Sequence, residues 1–281
     1  MKSLQDRVAV ITGAGSGIGR ALAIELSAAG CSVALSDINE AAVNEVAKQL
    51  NDMGRPAIAD RLDVSDREAF YAYADKVHAH YGKVNIVINN AGVALGATVE
   101  DTTYDDFEWL MGINFWGVVY GTKAFLPYLK QADAGHIVNI SSIFGIISVP
   151  TQSAYNAAKF AVRGFTDALR MELEMEGSSV SCTTIHPGGI KTNIARSARM
   201  KGDVSKFTGS SKADPREDFE KMFRTTPEDA AATIIKGIRS NKRRVLIGSD
   251  AVAVDSMQRM MPTAYQKIMI SGQKLLAKYG K

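Results

Sequence analysis

The sequence predicts a doubly wound α/β fold, in which a seven-stranded parallel sheet carries helices on both faces and a helical tail follows. Three observations carry this expectation. Seven short apolar runs alternate with helical patterns up to about residue 250, the rhythm of βαβ crossovers. A glycine-rich turn, Gly13-Ala-Gly-Ser-Gly-Ile-Gly19, separates the first apolar run from the first helical stretch. Tyr155 and Lys159 stand four apart at the start of an Ala-rich helical segment, so both project from one face.

Composition sets the frame. The 281 residues are 46% apolar and 22% charged, enough for one large domain with an appendage. A net charge of +3 gives no reason to expect nucleic acid as a partner. The charge is uneven, however: from Arg239 to Lys281 nine basic residues stand against Asp250 and Asp255. Cys31 and Cys182 each border a strand-like run, which suits buried thiols better than a disulfide. No signal-like segment leads the first strand, and no apolar run approaches the ~20 residues of a membrane span. A cytoplasmic protein is expected.

Val8 to Thr12 is a β-branched run and reads as the first strand. The glycine turn follows, and Arg20 to Ala29 reads as a helix. Glycines let backbone N–H groups approach a pyrophosphate, and the helix N-terminus adds partial positive charge. Alone, such a turn is weak; its flanking strand and helix strengthen it. With Thr12 the spacing becomes Thr-Gly-x-x-x-Gly-x-Gly, and here the chain resembles the short-chain dehydrogenase/reductase family. The resemblance extends over about residues 5 to 250 and implies a Rossmann fold. It implies that Gly13, Gly15, Ser16, Gly17, Ile18 and Gly19 hold a dinucleotide.

Cys31 to Ser36 is the second strand, ending at Asp37. A carboxylate there can accept hydrogen bonds from the adenosine ribose hydroxyls and would repel a 2′-phosphate. Neither Ile38, Gly15 nor Ser16 supplies a base, so NAD is expected over NADP. The plainer alternative is an aspartate that caps the next helix, from Asn39 onward. Ala41 to Met53 is helical and Ala57 to Leu62 is the third strand; Asp63 and Val64 match the family's adenine contacts. Ser65, Asp66 and Glu68 signal a helix start, and the helix runs to about Tyr81. Val84 to Ile88 is the fourth strand, closed by Asn89-Asn90-Ala91-Gly92. By resemblance Asn89 ties strands together, while Asn90, Ala91 and Gly92 line the cofactor.

Asp105 to Lys130 is a long helical region containing Asn114, which matches the family's active-site asparagine. His136 to Ser141 is the fifth strand and leads into Ser142. Ala154 to Met175 is the helix of Tyr155 and Lys159. Val180 to Ile185 is the sixth strand, followed by His186-Pro187-Gly188. Pro187, Gly188, Ile190 and Thr192 match cofactor contacts, with Thr192 at the nicotinamide amide. His186 reads as structural rather than as a base. The polar stretch 193–223 is expected to form a substrate lid. Pro227 to Ser240 is helical, and Arg243 to Ile247 is the seventh strand.

A phenol has a pKa near ~10 and is a poor base at neutral pH unless a nearby cation favours the phenolate. Taken alone, a Tyr and a Lys at this spacing are more often surface packing. The resemblance makes Tyr155 the general acid/base, with Lys159 lowering its pKa and holding the ribose. Ser142 then orients the substrate oxygen and Asn114 completes a water relay. The expected activity is NAD-dependent hydride exchange with an alcohol or carbonyl compound, and no metal is required. A non-catalytic NAD(H) sensor or scaffold is the alternative; a sugar-nucleotide epimerase fits the glycine spacing less well. Val93, Leu95, Ile143, Phe144, Ile146, Ile147 and Val149 favour a hydrophobic substrate if they line the pocket rather than pack the core.

The domain is expected to span residues 1–250, and 251–281 to form a helical extension. Met257, Met260, Met261, Ala264, Tyr265 and Ile268 fall at helical spacing, and Pro262 interrupts them. This stripe could pack on its own domain or a sister subunit, close over a substrate, or rest peripherally on an anionic membrane. The resemblance implies a homotetramer or homodimer.

Overall fold

The computed structural model describes residues 1–202, 204, 207 and 223–279, with side chains to residue 272. In order, the elements are β1 (Val8–Thr12), α1 (Gly17–Ala28), β2 (Ser32–Asp37), α2 (Glu40–Asp52), β3 (Ala57–Arg61), α3 (Arg67–Tyr81) and β4 (Ile86–Asn89). There follow β5 (Leu95–Gly96), α4 (Tyr104–Met111), α5 (Gly117–Gln131), β6 (Gly135–Ile140), α6 (Ser153–Met175), β7 (Val180–Pro187) and β8 (Arg199–Met200). The last are α7 (Pro227–Arg239), β9 (Arg244–Ile247), α8 (Ser249–Met260) and α9 (Ala264–Tyr279). Most of the expected lid, residues 203, 205–206 and 208–222, lies outside the described residues.

Seven strands form one parallel sheet in the order β3-β2-β1-β4-β6-β7-β9. The central strand β1 is buried throughout, and its alternation divides the core. Ala9 and Ile11 pack with Leu22 and Leu26 of α1 and Ile234 and Ile238 of α7. Val10 points the other way, toward Phe70, Phe125 and Leu129 of α3 and α5. Phe125 receives Phe70 and Tyr73 edge-on at 6.4 and 6.1 Å between centroids. Each such fully buried side chain contributes roughly 1.5–3 kcal/mol.

Connections from β1 run one way along the sheet and those from β4 run the other, so a crevice opens at the strand ends between them. Asn89, at the end of β4, ties that region together as expected. Its Nδ2 donates to Asn139 Oδ1 at 2.8 Å, and Asn139 Nδ2 donates to Thr166 Oγ1 at 2.9 Å. Both amide N–H groups are thereby satisfied in the buried sheet end, while Asn89 Oδ1 has no partner among the described residues. The two cysteines are buried and unpaired with each other.

Three features refine or extend the sequence reading. The long helical region runs unbroken from Tyr104 to Gln131, as expected, but Gly112–Trp116 within it forms a π-helical turn between α4 and α5. Leu95–Gly96 and Arg199–Met200 pair as a separate two-stranded parallel ribbon, which the sequence reading did not foresee. The tail stripe is divided. Tyr265 is buried, and with Met257 it packs on Ile146 and Ile147, but Met260 and Ile268 are exposed. Pro262 interrupts the stripe as expected: the chain leaves α8 at Met261 in a non-helical conformation, and α9 starts at Ala264. Among the described residues no helix is long and apolar enough to cross a membrane.

Candidate active site

The glycine turn sits where β1 ends and α1 begins. Gly13 has φ +64°, and a β-carbon there would stand 2.8 Å from Ala91 Cα. At Gly19 a β-carbon would overlap the Gly13 carbonyl oxygen and lie 2.6 Å from Asn90 Nδ2. These positions admit only glycine, and the result is an exposed backbone concavity at a helix N-terminus. Asn90 Nδ2 braces it by donating to Thr12 O and Gly13 O, while Asn90 N and Ala91 N donate to Thr12 Oγ1. Thr192 closes the opposite side; its Cγ2 would lie 3.0 Å from a β-carbon on Gly17.

Asp37 ends β2 beside this loop. Its Oδ2 accepts from Gly15 N at 2.9 Å and its Oδ1 from Asn39 N at 2.9 Å. A carboxylate has about four lone-pair sites, so capacity remains for hydroxyl donors. The cap of α2 falls to Asn39, whose side chain accepts from Ala42 N, and Asp37 is left facing the loop. A concavity that no β-carbon could share, with a carboxylate at its edge, fits an adenine dinucleotide without a 2′-phosphate. Val64 is buried, and Asp63 is turned to Ser65, whose N and Oγ both donate to Asp63 Oδ1. Asp66 caps α3 by accepting from Ala69 N.

Asn114, Ser142, Tyr155 and Lys159 come from the π-helical turn, the end of β6 and the first turns of α6. A β-carbon on Gly92 would stand 3.3 Å from Asn114 Oδ1 and 3.7 Å from Lys159 Nζ, which places that backbone between them. Asn114 grips Val93 from both sides, accepting from its N–H and donating to its C=O at 2.8 Å each. The extra residue of the π turn shifts the carbonyl ladder of the helix at this point. Lys159 is buried, donates from Nζ to Ile140 O at 3.0 Å, and lies 5.6 Å from the Tyr155 ring centroid.

Burial lowers the Lys159 ammonium to about 8, so it keeps its charge at neutral pH. The Tyr155 phenol moves the other way, pushed up to about 12 by burial, and its hydrogen bond with Ser142 opposes the rise. This differs from the expectation that lysine leaves the phenol acidic; desolvation is the larger effect here. Ser142 Oγ also accepts from Phe144 N at 3.1 Å. The Phe144 ring meets Tyr155 edge-on at 6.1 Å.

The loop after Ser142 and the turn after Pro187 are held by residues to which the sequence reading assigned no role at the site. Asn156 donates to Phe144 O and Ile147 O at 2.9 and 3.0 Å and accepts from Val149 N at 3.2 Å. Tyr265 of α9 accepts from Ser148 N at 3.1 Å through its hydroxyl. Asp250 accepts from Gly189 N at 2.7 Å beside Pro187 and Gly188. Asn156 had one available signal, its place directly after Tyr155. Of the apolar residues proposed to line a pocket, Leu95, Ile146 and Ile147 are buried in packing. Val93, Ile143, Phe144 and Val149 are half-buried. Ile190 is buried and bridges Thr225.

Comparison with known proteins agrees with this layout. The family model for short chain dehydrogenases matches residues 7–202. SadH of Mycobacterium tuberculosis, named as an oxidoreductase, is 47% identical over 272 residues, covering 97% of both chains. A C alpha-dehydrogenase of Sphingobium is 35% identical over 248 residues, 86% of this chain and 80% of the relative. A short-chain dehydrogenase/reductase from Burkholderia phymatum, solved in complex with NAD, superposes with a TM-score of 0.84. It is 30% identical, and the match covers 93% of this chain and 96% of that one. With the sheet order, the glycine turn and the Tyr-x-x-x-Lys helix in place, the chain belongs to the short-chain dehydrogenase family of oxidoreductases.

Proposed function

We propose that this protein is an NAD-dependent dehydrogenase or carbonyl reductase acting on a hydrophobic secondary alcohol or ketone, or an alcohol/aldehyde pair. The observation that carries the reading is convergence: Asn114 and Lys159 flank Gly92, Lys159 Nζ lies 5.6 Å from the Tyr155 ring centroid, and Tyr155 hydrogen-bonds Ser142. NAD over NADP rests on Asp37 at the loop edge. When bound, NAD supplies the hydride acceptor of the oxidative direction.

The chain's own residues handle the proton. Ser142 Oγ and the Tyr155 hydroxyl bracket the position of the substrate oxygen. As the carbon–hydrogen bond of the alcohol breaks, the hydroxyl proton passes to Tyr155 Oη, which must enter the oxidative direction as the phenolate; in reduction the phenol returns the proton. A phenol near 12 is fully protonated at neutral pH and ready to donate. Lys159 holds a fixed positive charge on the phenolate side and can reach ribose hydroxyls, and Asn114 fixes the Val93 backbone beside it. Val93, Ile143, Phe144 and Val149 form the apolar side of the cleft, which supports a hydrophobic substrate. The relative named as a C alpha-dehydrogenase supports dehydrogenation. Trp116, Phe160 and Met171 are exposed, in keeping with a homodimer or homotetramer.

Tyr155→Phe tests the reading. The ring contacts stay and the proton carrier goes, so turnover should drop roughly 10²–10⁴-fold while NAD still binds. Undiminished turnover would overturn the assignment.

A further inference from the structure

Strands β6 and β7 remain in register as far as Ile140 opposite Ile185, and Ser141 N donates to Ile185 O at 2.8 Å. Pro187 has no N–H, so the backbone of β7 cannot extend that tie. A side chain takes over. His186 is fully buried and places Nδ1 2.8 Å from the carbonyl oxygen of Ser142. A carbonyl can only accept, so Nδ1 carries the proton and Nε2 keeps the lone pair. Among the described residues Nε2 has no hydrogen-bond partner.

Three charged groups act on this ring: Arg244 of β9 and Arg163 of α6 oppose its protonation, and Asp255 of α8 favours it. Burial is the largest effect and lowers the imidazole to about 4. The ring is a neutral donor with one tautomer.

Resting on the reading of Tyr155 as acid/base, we propose that His186 is a positioning residue that anchors the Ser142 carbonyl and thereby aims Ser142 Oγ at the Tyr155 phenol and the substrate oxygen. The anchor is needed because Ser142 is extended, with φ −167° and ψ 169°, at the point where the strand gives way to a tight turn. Its Oγ already accepts from Phe144 N, so its own O–H is free for the reacting side.

The test compares His186→Leu, which removes the donor, with His186→Asn, which restores an N–H near the place of Nδ1. With an alcohol substrate and NAD, His186→Leu should lower kcat about tenfold, the loss of one orienting hydrogen bond. NAD affinity should be unchanged. The pH limb set by Tyr155 should move upward, because the Ser142 bond that lowers the phenol is weakened. His186→Asn should recover most of the rate. In the wild-type protein, imidazole nitrogen-15 shifts should report a neutral Nδ1–H tautomer, constant from about pH 5 to 8.

A His186→Leu enzyme with wild-type kcat and pH profile would overturn the proposal, as would an Asn variant no better than Leu or an Nε2–H tautomer. Should the variants not fold, the tautomer alone decides. Tyr155→Phe in the same assay separates the two levels. Full activity there removes the acid/base reading and this inference with it, whereas an inactive Phe variant beside an unimpaired Leu variant removes this inference alone.

Discussion

Replacing Lys159 by methionine should abolish turnover yet cost the fold little at neutral pH. The ammonium is buried and its pKa falls from 10.5 to about 8. At about 1.4 kcal/mol per unit, holding it charged costs the native state about 3 kcal/mol at pH 7. Methionine removes that cost and keeps the unbranched shape. It also removes the donor to Ile140 O, which opposes the gain by roughly 1–3 kcal/mol. The net expectation at pH 7 is a variant as stable as wild type or up to about 2 kcal/mol more stable. The sign with pH is fixed by linkage. Between about 8 and 10.5 the folded protein binds fewer protons at this site than the unfolded chain, so wild-type stability rises with pH there. The methionine variant lacks that rise, and its relative stability should fall by most of ~3 kcal/mol between about pH 7 and 10. Urea unfolding of both proteins without cofactor at the two pH values measures the difference, since every other titrating group cancels. A difference independent of pH would refute the description of Lys159 as a desolvated cation.

Gly19→Ala should abolish NAD binding measured by calorimetry, because the new methyl group overlaps the Gly13 carbonyl and displaces Asn90; unchanged affinity would show that the concavity is not the dinucleotide site. Asp37→Asn keeps the shape of the loop edge but loses its charge, so NADP should gain on NAD by about tenfold in relative kcat/KM. Tyr265→Phe removes the bond to Ser148 N and should cost about 1 kcal/mol in stability, with a raised KM for the alcohol and an unaltered KM for NAD.

Much of this was readable before any coordinates. The seven main strands are short β-branched or apolar runs, and several end in residues that brace or edge the glycine loop and the switch point, such as Thr12, Asp37 and Asn89. Pattern and punctuation therefore coincide. What escaped has definite causes. A ribbon of two residues per strand, Leu95–Gly96 with Arg199–Met200, has no period to detect. The π-helical turn at Asn114 changes hydrogen-bond spacing without changing residue preference, so a disturbed helix there was expected only through the family resemblance. The interruption at Pro262 was legible, but not which members of the tail stripe pack: Met257 and Tyr265 do, and Met260 and Ile268 are exposed. His186 was read as structural because nothing local in the sequence shows that its ring reaches the next strand's carbonyl.

The staple formed by Asn156 has a practical meaning. One side chain, adjacent in sequence to Tyr155, fastens three points of the loop proposed to face the substrate. Base and binding wall are thus mounted on a common bracket, and neither can drift without the other. Substitutions in this loop are best made at Ile143, since Phe144 meets the Tyr155 ring and Val149 packs with Phe144 on the Ile146–Tyr265 cluster, and with the asparagine left in place.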